Sequence, residues 1–190
     1  MDYKKYVSNL YEKSKDLILK PEAFFKKYGE NNDEKLFSSL LVPLIVFMGA
    51  GVFLGEIISN SNFLFSYALM KTLRIVVYYI LVYYLETWAL GELLKSHEGK
   101  QDKNLLSLVV VSSLVPSVLS SFITGLFPGL YVFGILGLYG FYLFVVGVKK
   151  CLKIPEKNQF RYILLSILLI LLITGVVYSF SWKLLQFYEG

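Results

Sequence analysis

Five long apolar stretches separated by shorter polar ones organise this chain of 190 residues. They fall at about 36–58, 64–90, 105–124, 130–148 and 162–180. Each is long enough to cross the ~30 Å hydrocarbon core of a bilayer as a helix. The pattern predicts an all-α fold: a polytopic integral membrane protein, a bundle of five transmembrane helices. Residues 1–35 read differently. Tyr3, Tyr6, Val7, Leu10, Leu17 and Ile18 recur at helical spacing, while Lys4, Lys5, Lys13 and Lys15 mostly lie elsewhere on the helix. Such a segment suits a cytoplasmic amphipathic helix lying in the membrane interface, with a partner-docking surface as the alternative. Pro21 ends that helix, and Glu22–Tyr28 begins a second short amphipathic piece.

Polar groups inside the spans are the candidate chemistry. The first span holds Pro43, then Gly49, Gly51 and Gly55, with Glu56 at its far end, and the Asn60–Asn62 turn follows. The second carries Lys71, Arg74 and Glu86. Arg74 and Glu86 are ~18 Å apart along a helix, so each falls about a turn inside opposite boundaries. Lys71 and Arg74 are placed to snorkel to the outer interface. Folding the first two spans as a hairpin brings Glu86 near Lys35, as an interfacial ion pair. The sharper alternative sets Glu56, Lys71 and Arg74 around a water-filled outer cavity, because ionisable groups inside membranes mark pathways by default. Tyr78, Tyr79, Tyr83 and Tyr84 lie mid-span, where buried hydroxyls need acceptors, so they are expected to face other helices.

The third span contains Pro116, whose missing N–H frees the carbonyl of Ser112 and favours a kink. At 100° per residue Ser113, Ser117, Ser120 and Thr124 share one narrow face, suited to close helix packing or to a polar path. In the fourth span Gly134, Gly137, Gly140 and Gly147 offer a groove to a neighbouring backbone. The fifth is almost purely aliphatic and is expected to face lipid, with Trp182 and Tyr188 at its outer interface.

Composition narrows the function classes. A hydrophobic content of 56%, 17% charged residues and a mean hydropathy of +0.58 exclude a soluble domain. The charge-rich first 35 residues do not read as a signal peptide. The single cysteine, Cys151, excludes an intramolecular disulfide and any cysteine-cluster metal site. His97 stands alone in the polar 91–104 loop and is expected to be solvated. There is no HExxH, GxSxG, phosphate-binding glycine loop or carboxylate cluster, so no catalytic, cofactor-binding or metal residues are assigned and no enzyme is expected. The net charge of +5 does not call for nucleic acid, since 16 of the 19 basic residues lie in the N-terminal segment and in two loops on the same side. By the positive-inside rule this predicts a cytoplasmic N-terminus and an outside C-terminus in the cell membrane.

The order of LILKPEAFF (Leu17–Phe25), five spans, VVSSLVPSV (Val110–Val118) in the third, and LYGFYLFVVGVKKCLKIPEK (Leu138–Lys157) resembles the Yip-domain family. The eukaryotic members of that family are Ypt/Rab-interacting proteins of vesicle traffic. The Asp-Leu-Tyr-Gly-Pro motif is absent, so the chain is similar to the short prokaryotic type. The resemblance implies a five-helix membrane domain, with Rab-type GTPases not expected as partners. Expected partners are the lipid bilayer and other membrane proteins, further copies of this chain included. The functional expectation is a non-enzymatic, Yip-like membrane-organising or protein-interaction role. Its alternative is a small channel, transporter or lipid-moving protein using a polar path near Glu56, Arg74 and the Ser113–Thr124 face. The chain lacks evident inverted repeats, which weakens a standard secondary transporter.

Overall fold

The computed structural model of the chain describes residues 3–30, 36–59, 63–99 and 102–189. The Asn60–Asn62 turn and Lys35 lie outside the described residues, as do the side chains of Tyr3, Tyr6 and Tyr188. Among the described residues all regular structure is helical. Five stretches are long and apolar enough to cross a membrane: Phe37–Ser59, Phe65–Lys95, Lys103–Leu126, Pro128–Cys151 and Glu156–Lys183.

Helices α1 (Tyr3–Leu19) and α2 (Pro21–Glu30) precede them. Pro21 cannot continue α1 but suits the first turn of α2, where its missing N–H would have no partner anyway. Both helices pack against the bundle. Leu17, Phe24 and Phe25 are buried in the same core as Leu40, Leu41, Val109 and Phe144. The Tyr139 hydroxyl donates to the Ile18 carbonyl at 2.8 Å. The stripe is thus turned onto protein through Leu10 and Leu17, whereas Val7 and Tyr11 stay exposed.

The first span opens with a π-helical turn, Phe37–Leu41, and continues as α3 (Val42–Ser59). Pro43 supplies the reason. Its ring crowds the carbonyl four residues back, so the turn before it widens and the Val42 N–H reaches back to the Phe37 carbonyl. Helix α4 (Phe65–Lys95) runs five residues past its expected end. Leu90 and Leu94, four apart and both fully buried, carry its packing face beyond Glu92.

Helix α5 (Lys103–Leu126) is the hub, packed on α3, α4 and the fourth span. Asp102 caps it by accepting from the Asn104 and Leu105 N–H groups. The fourth span is not one regular α-helix. It begins as a 3₁₀ segment, Pro128–Leu138, interrupted at Leu130, and becomes α6 at Tyr139–Cys151. Glycines at 134, 137 and 140 match the 3.0-residue turn, which stacks them on one edge instead of letting them drift. A Cβ on Gly137 would lie 3.1 Å from Ser117 Oγ, and one on Gly140 would run into the Ser113 carbonyl. Gly134 has open space, and Gly147 sits against Phe25 and Val109.

Helix α7 (Glu156–Glu189) lies along α4 and touches α6 only lightly. The leucines at 164, 168, 171 and 172 are exposed. The lysines at 95, 103, 149, 150, 153 and 157 gather at one end of the bundle, called here the basic end.

Candidate functional site

The eight polar residues singled out within the spans divide among three separate seams. Glu56 and Lys71 meet between α3 and α4, away from the basic end, with Lys71 Nζ 2.5 Å from Glu56 Oε2. The glutamate side chain is 8% exposed and the lysine 31%, so the pair is half shielded from its surroundings. Lys71 also stands 6.0 Å from the Tyr67 ring. The neighbouring α3–α5 contact shows why Glu56 is held there. Gly51 and Gly55, one turn apart, bring α3 onto Phe122 and onto the Gly125 carbonyl, with no room for a side chain at either position. Arg74 does not join this pair. It turns to α7, its guanidinium 5.2 Å from the Trp182 ring, an arrangement of cation and aromatic face that suits an interface. Its Nε is buried without a hydrogen-bond partner.

The α5 hydroxyls are engaged locally or by neighbouring helices. Ser113 Oγ donates to the Val110 carbonyl at 2.8 Å and Thr124 Oγ1 to the Ser120 carbonyl at 3.1 Å. Ser120 Oγ crosses to the 3₁₀ segment and donates to the Phe133 carbonyl at 3.0 Å. Ser117 contributes its carbonyl, which accepts from the Tyr79 hydroxyl at 2.8 Å. That hydroxyl also lies 2.7 Å from Ser121 Oγ, and the Tyr83 hydroxyl is 2.8 Å from Ser107 Oγ. Ser107 and Ser121 were not expected from sequence. The available signal was Tyr79 and Tyr83 at one-turn spacing, which demands acceptors on one facing helix. Tyr78 is half-buried and stacks edge-on with Tyr178, 6.3 Å away. Tyr84 departs from the expectation that all four tyrosines face helices. It is exposed, leaning on Phe37 at 5.6 Å, because it sits on the opposite side of α4 from Tyr79.

Glu86 occupies the third seam, between α4 and α7. The expected ion pair with Lys35 lies outside the described residues; the structure places Glu86 inward, against α7. It is 1% exposed, and its Oε1 accepts from Thr174 Oγ1 at 3.4 Å. Further toward the basic end the Tyr162 hydroxyl donates to the Leu90 carbonyl at 3.4 Å. His97 covers Tyr162, with ring centroids 5.7 Å apart. The expectation of a solvated His97 is therefore corrected. It is buried, and its Nδ1 donates to the Leu93 carbonyl at 2.9 Å, because α4 outruns its expected end and folds the histidine back onto its last turn.

Two clefts open at the basic end. One, of about 760 Å³, lies between Phe37, Tyr83, Trp88 and Leu106, with Glu92 and Lys103 at its rim. The other, of about 470 Å³, lies beside α2 and is lined by Glu22, Phe25, Lys150 and Cys151. Cys151 is buried beneath α2, its Sγ 3.8 Å from the Phe25 carbonyl. Among the described residues no group of three histidine, cysteine or carboxylate side chains is placed to hold a metal ion.

Neither a curated protein nor a solved structure matches the chain significantly. The Yip1 domain, however, matches it over residues 15–178, a region that spans the last turn of α1, α2, the first four membrane-crossing stretches and most of the fifth. The chain belongs to the Yip1-domain family of multi-pass membrane proteins.

Proposed function

We propose that this protein is a non-enzymatic membrane-organising or protein-interaction module, with its N-terminus and basic end in the cytoplasm. The observation that carries this reading is the α1–α2 pair. Leu10, Leu17, Phe24 and Phe25 commit part of its apolar side to the bundle, while Val7, Tyr11 and the charged Glu12, Lys15, Asp16, Lys26 and Lys27 stay exposed. Lys150 pins it further through Glu22, at 3.0 Å. A docked hairpin with a charged outer face is a platform for other proteins, and its basic residues suit the side of the membrane that retains lysine. The spans support the same reading, since Glu56 with Lys71 and the Ser113–Thr124 face are engaged by their own helices and neighbours.

Photo-crosslinking in intact cells tests it, with a photoreactive residue at the exposed position Tyr11. Discrete adducts to membrane proteins, or to further copies of the chain, are expected. Lipid adducts alone, at Tyr11 and at other exposed positions of the hairpin, would sink the interaction role. Orientation is read by replacing Cys151 and placing single cysteines at positions 61, 100 and 127. A reagent confined to the outside is expected to reach 61 and 127; labelling at 100 would reverse the assignment.

A further inference from the structure

Glu86 is the one acidic side chain of the described spans that is buried and faces no cation. Its Oε2 is sealed from solvent and has no hydrogen-bond partner, and its Oε1 has a single long one, from Thr174. The groups along the seam are hydroxyls and rings. From α7 these are Thr174, with Tyr178 on one side and Tyr162 on the other; from α4 itself, Tyr78. Facing α5, the hydroxyls of Ser107 and Ser121 and the carbonyl of Ser117 stand at Tyr79 and Tyr83, and α3 sends its own acid, Glu56, to Lys71. Along α4 the nearest cations are Lys95, ~14 Å away, and Arg74, ~18 Å away. On α7, Lys183 and Arg161 are at least ~13 Å of helix from Thr174. Among the described residues no cation faces this seam, so a carboxylate buried here would be a bare charge, a costly arrangement inside a membrane. A neutral carboxylic acid meets no such obstacle.

The position also controls something. α7 is held to the bundle almost wholly by α4, and Glu86–Thr174 is the polar contact in the middle of that seam. We propose that Glu86 is a proton-binding site inside the membrane: with its proton bound, α7 stays docked on α4, and loss of the proton admits water and separates the two helices. This goes beyond the interaction role and stands independently of it.

The test uses the full chain in liposomes and dicyclohexylcarbodiimide, an apolar reagent that reaches carboxyl groups in hydrocarbon and reacts with them when protonated. The carboxyl proton moves to a carbodiimide nitrogen and the carboxylate oxygen adds to the central carbon. An acyl shift to nitrogen then leaves a stable N-acylurea, with no leaving group. At neutral pH the adduct is expected on the peptide carrying Glu86, with none in Glu86→Gln and progressively less in the parent as pH rises. An absent adduct at Glu86 overturns the site. Docking is read separately in a Cys151→Ser background, with cysteines at 78 and 178 joined by a short bifunctional thiol reagent. Joining is expected to fall with rising pH relative to the same pair carrying Glu86→Gln. Identical pH profiles in the two would overturn the switch. Glu86→Gln is expected to keep the parent Tm at neutral pH; a marked drop would mean an ionised, paired Glu86 and overturn the proposal.

Discussion

Replacing Phe25 by alanine is expected to release α2 from the bundle and uncover the chain's single thiol. Phe25 is 1% exposed, edge-on to Phe24 at 5.9 Å. Gly147 admits its ring, since a Cβ there would come within 2.9 Å of it. Truncating a fully buried phenylalanine destabilises its site by about 3–5 kcal/mol, from lost burial and the cavity left behind. Taking the lower half of that range and 1.4 kcal/mol per factor of ten, the undocked population of α2 rises by about 10²–10³. Cys151 reports it directly. The thiol is 3% exposed beneath α2, so a maleimide reaches it only through local opening, at a rate proportional to the open population. Phe25→Ala should therefore raise the labelling rate of Cys151 by about two orders of magnitude or more. Val7→Ala, at an exposed position of α1, should leave it within about threefold. Equal rates for the parent and Phe25→Ala would refute the docking, as would a parent thiol that reacts like a free one.

Three further perturbations separate the seams. Gly55→Ala drives a methyl group into the Gly125 carbonyl and should lower stability by about 1–3 kcal/mol, read as Tm in detergent. Gly129→Ala, in open space, should leave Tm unchanged. Tyr79→Phe removes the hydroxyl shared by Ser117 and Ser121 and should destabilise by about 1 kcal/mol in a denaturant titration. Tyr84→Phe, at an exposed ring, should not. Glu56→Gln leaves Lys71 without its charge partner and should destabilise by about 1–2 kcal/mol, a third-exposed lysine softening the loss. Combining it with Lys71→Met should recover part of that, so a strictly additive double variant would deny the pairing.

The spans were legible because 18 or more apolar residues in a row have few other uses, and the five predicted centres coincide with the five helical stretches. The amphipathic N-terminus was legible as a helix, but its periodicity cannot say whether Leu17 meets lipid or protein. That depends on Phe25 finding space beside Gly147, a contact over about 120 residues of separation. The local winding at Phe37–Leu41 and Pro128–Leu138 was hidden for a related reason. A run of leucine, valine and glycine is equally apolar in α, π or 3₁₀ form, though Pro43 and the three-residue glycine spacing carried usable hints. For the polar residues, sequence gave depth but not direction. Lys71 and Arg74 are three residues apart, and that rotation was enough to send one to Glu56 and the other to Trp182. His97 was misjudged because the surrounding charges suggested a loop, while Leu90 and Leu94 extended α4 to its edge.

Reconstitution into sealed liposomes, following ion leak and lipid scrambling together, tests the central claim most directly: the polar groups of the spans serve packing and not passage. The account predicts vesicles as tight as protein-free ones, both for the parent and after Glu56→Gln or Arg74→Gln. Transport that requires Glu56 or Arg74 would contradict it and make those residues part of a path.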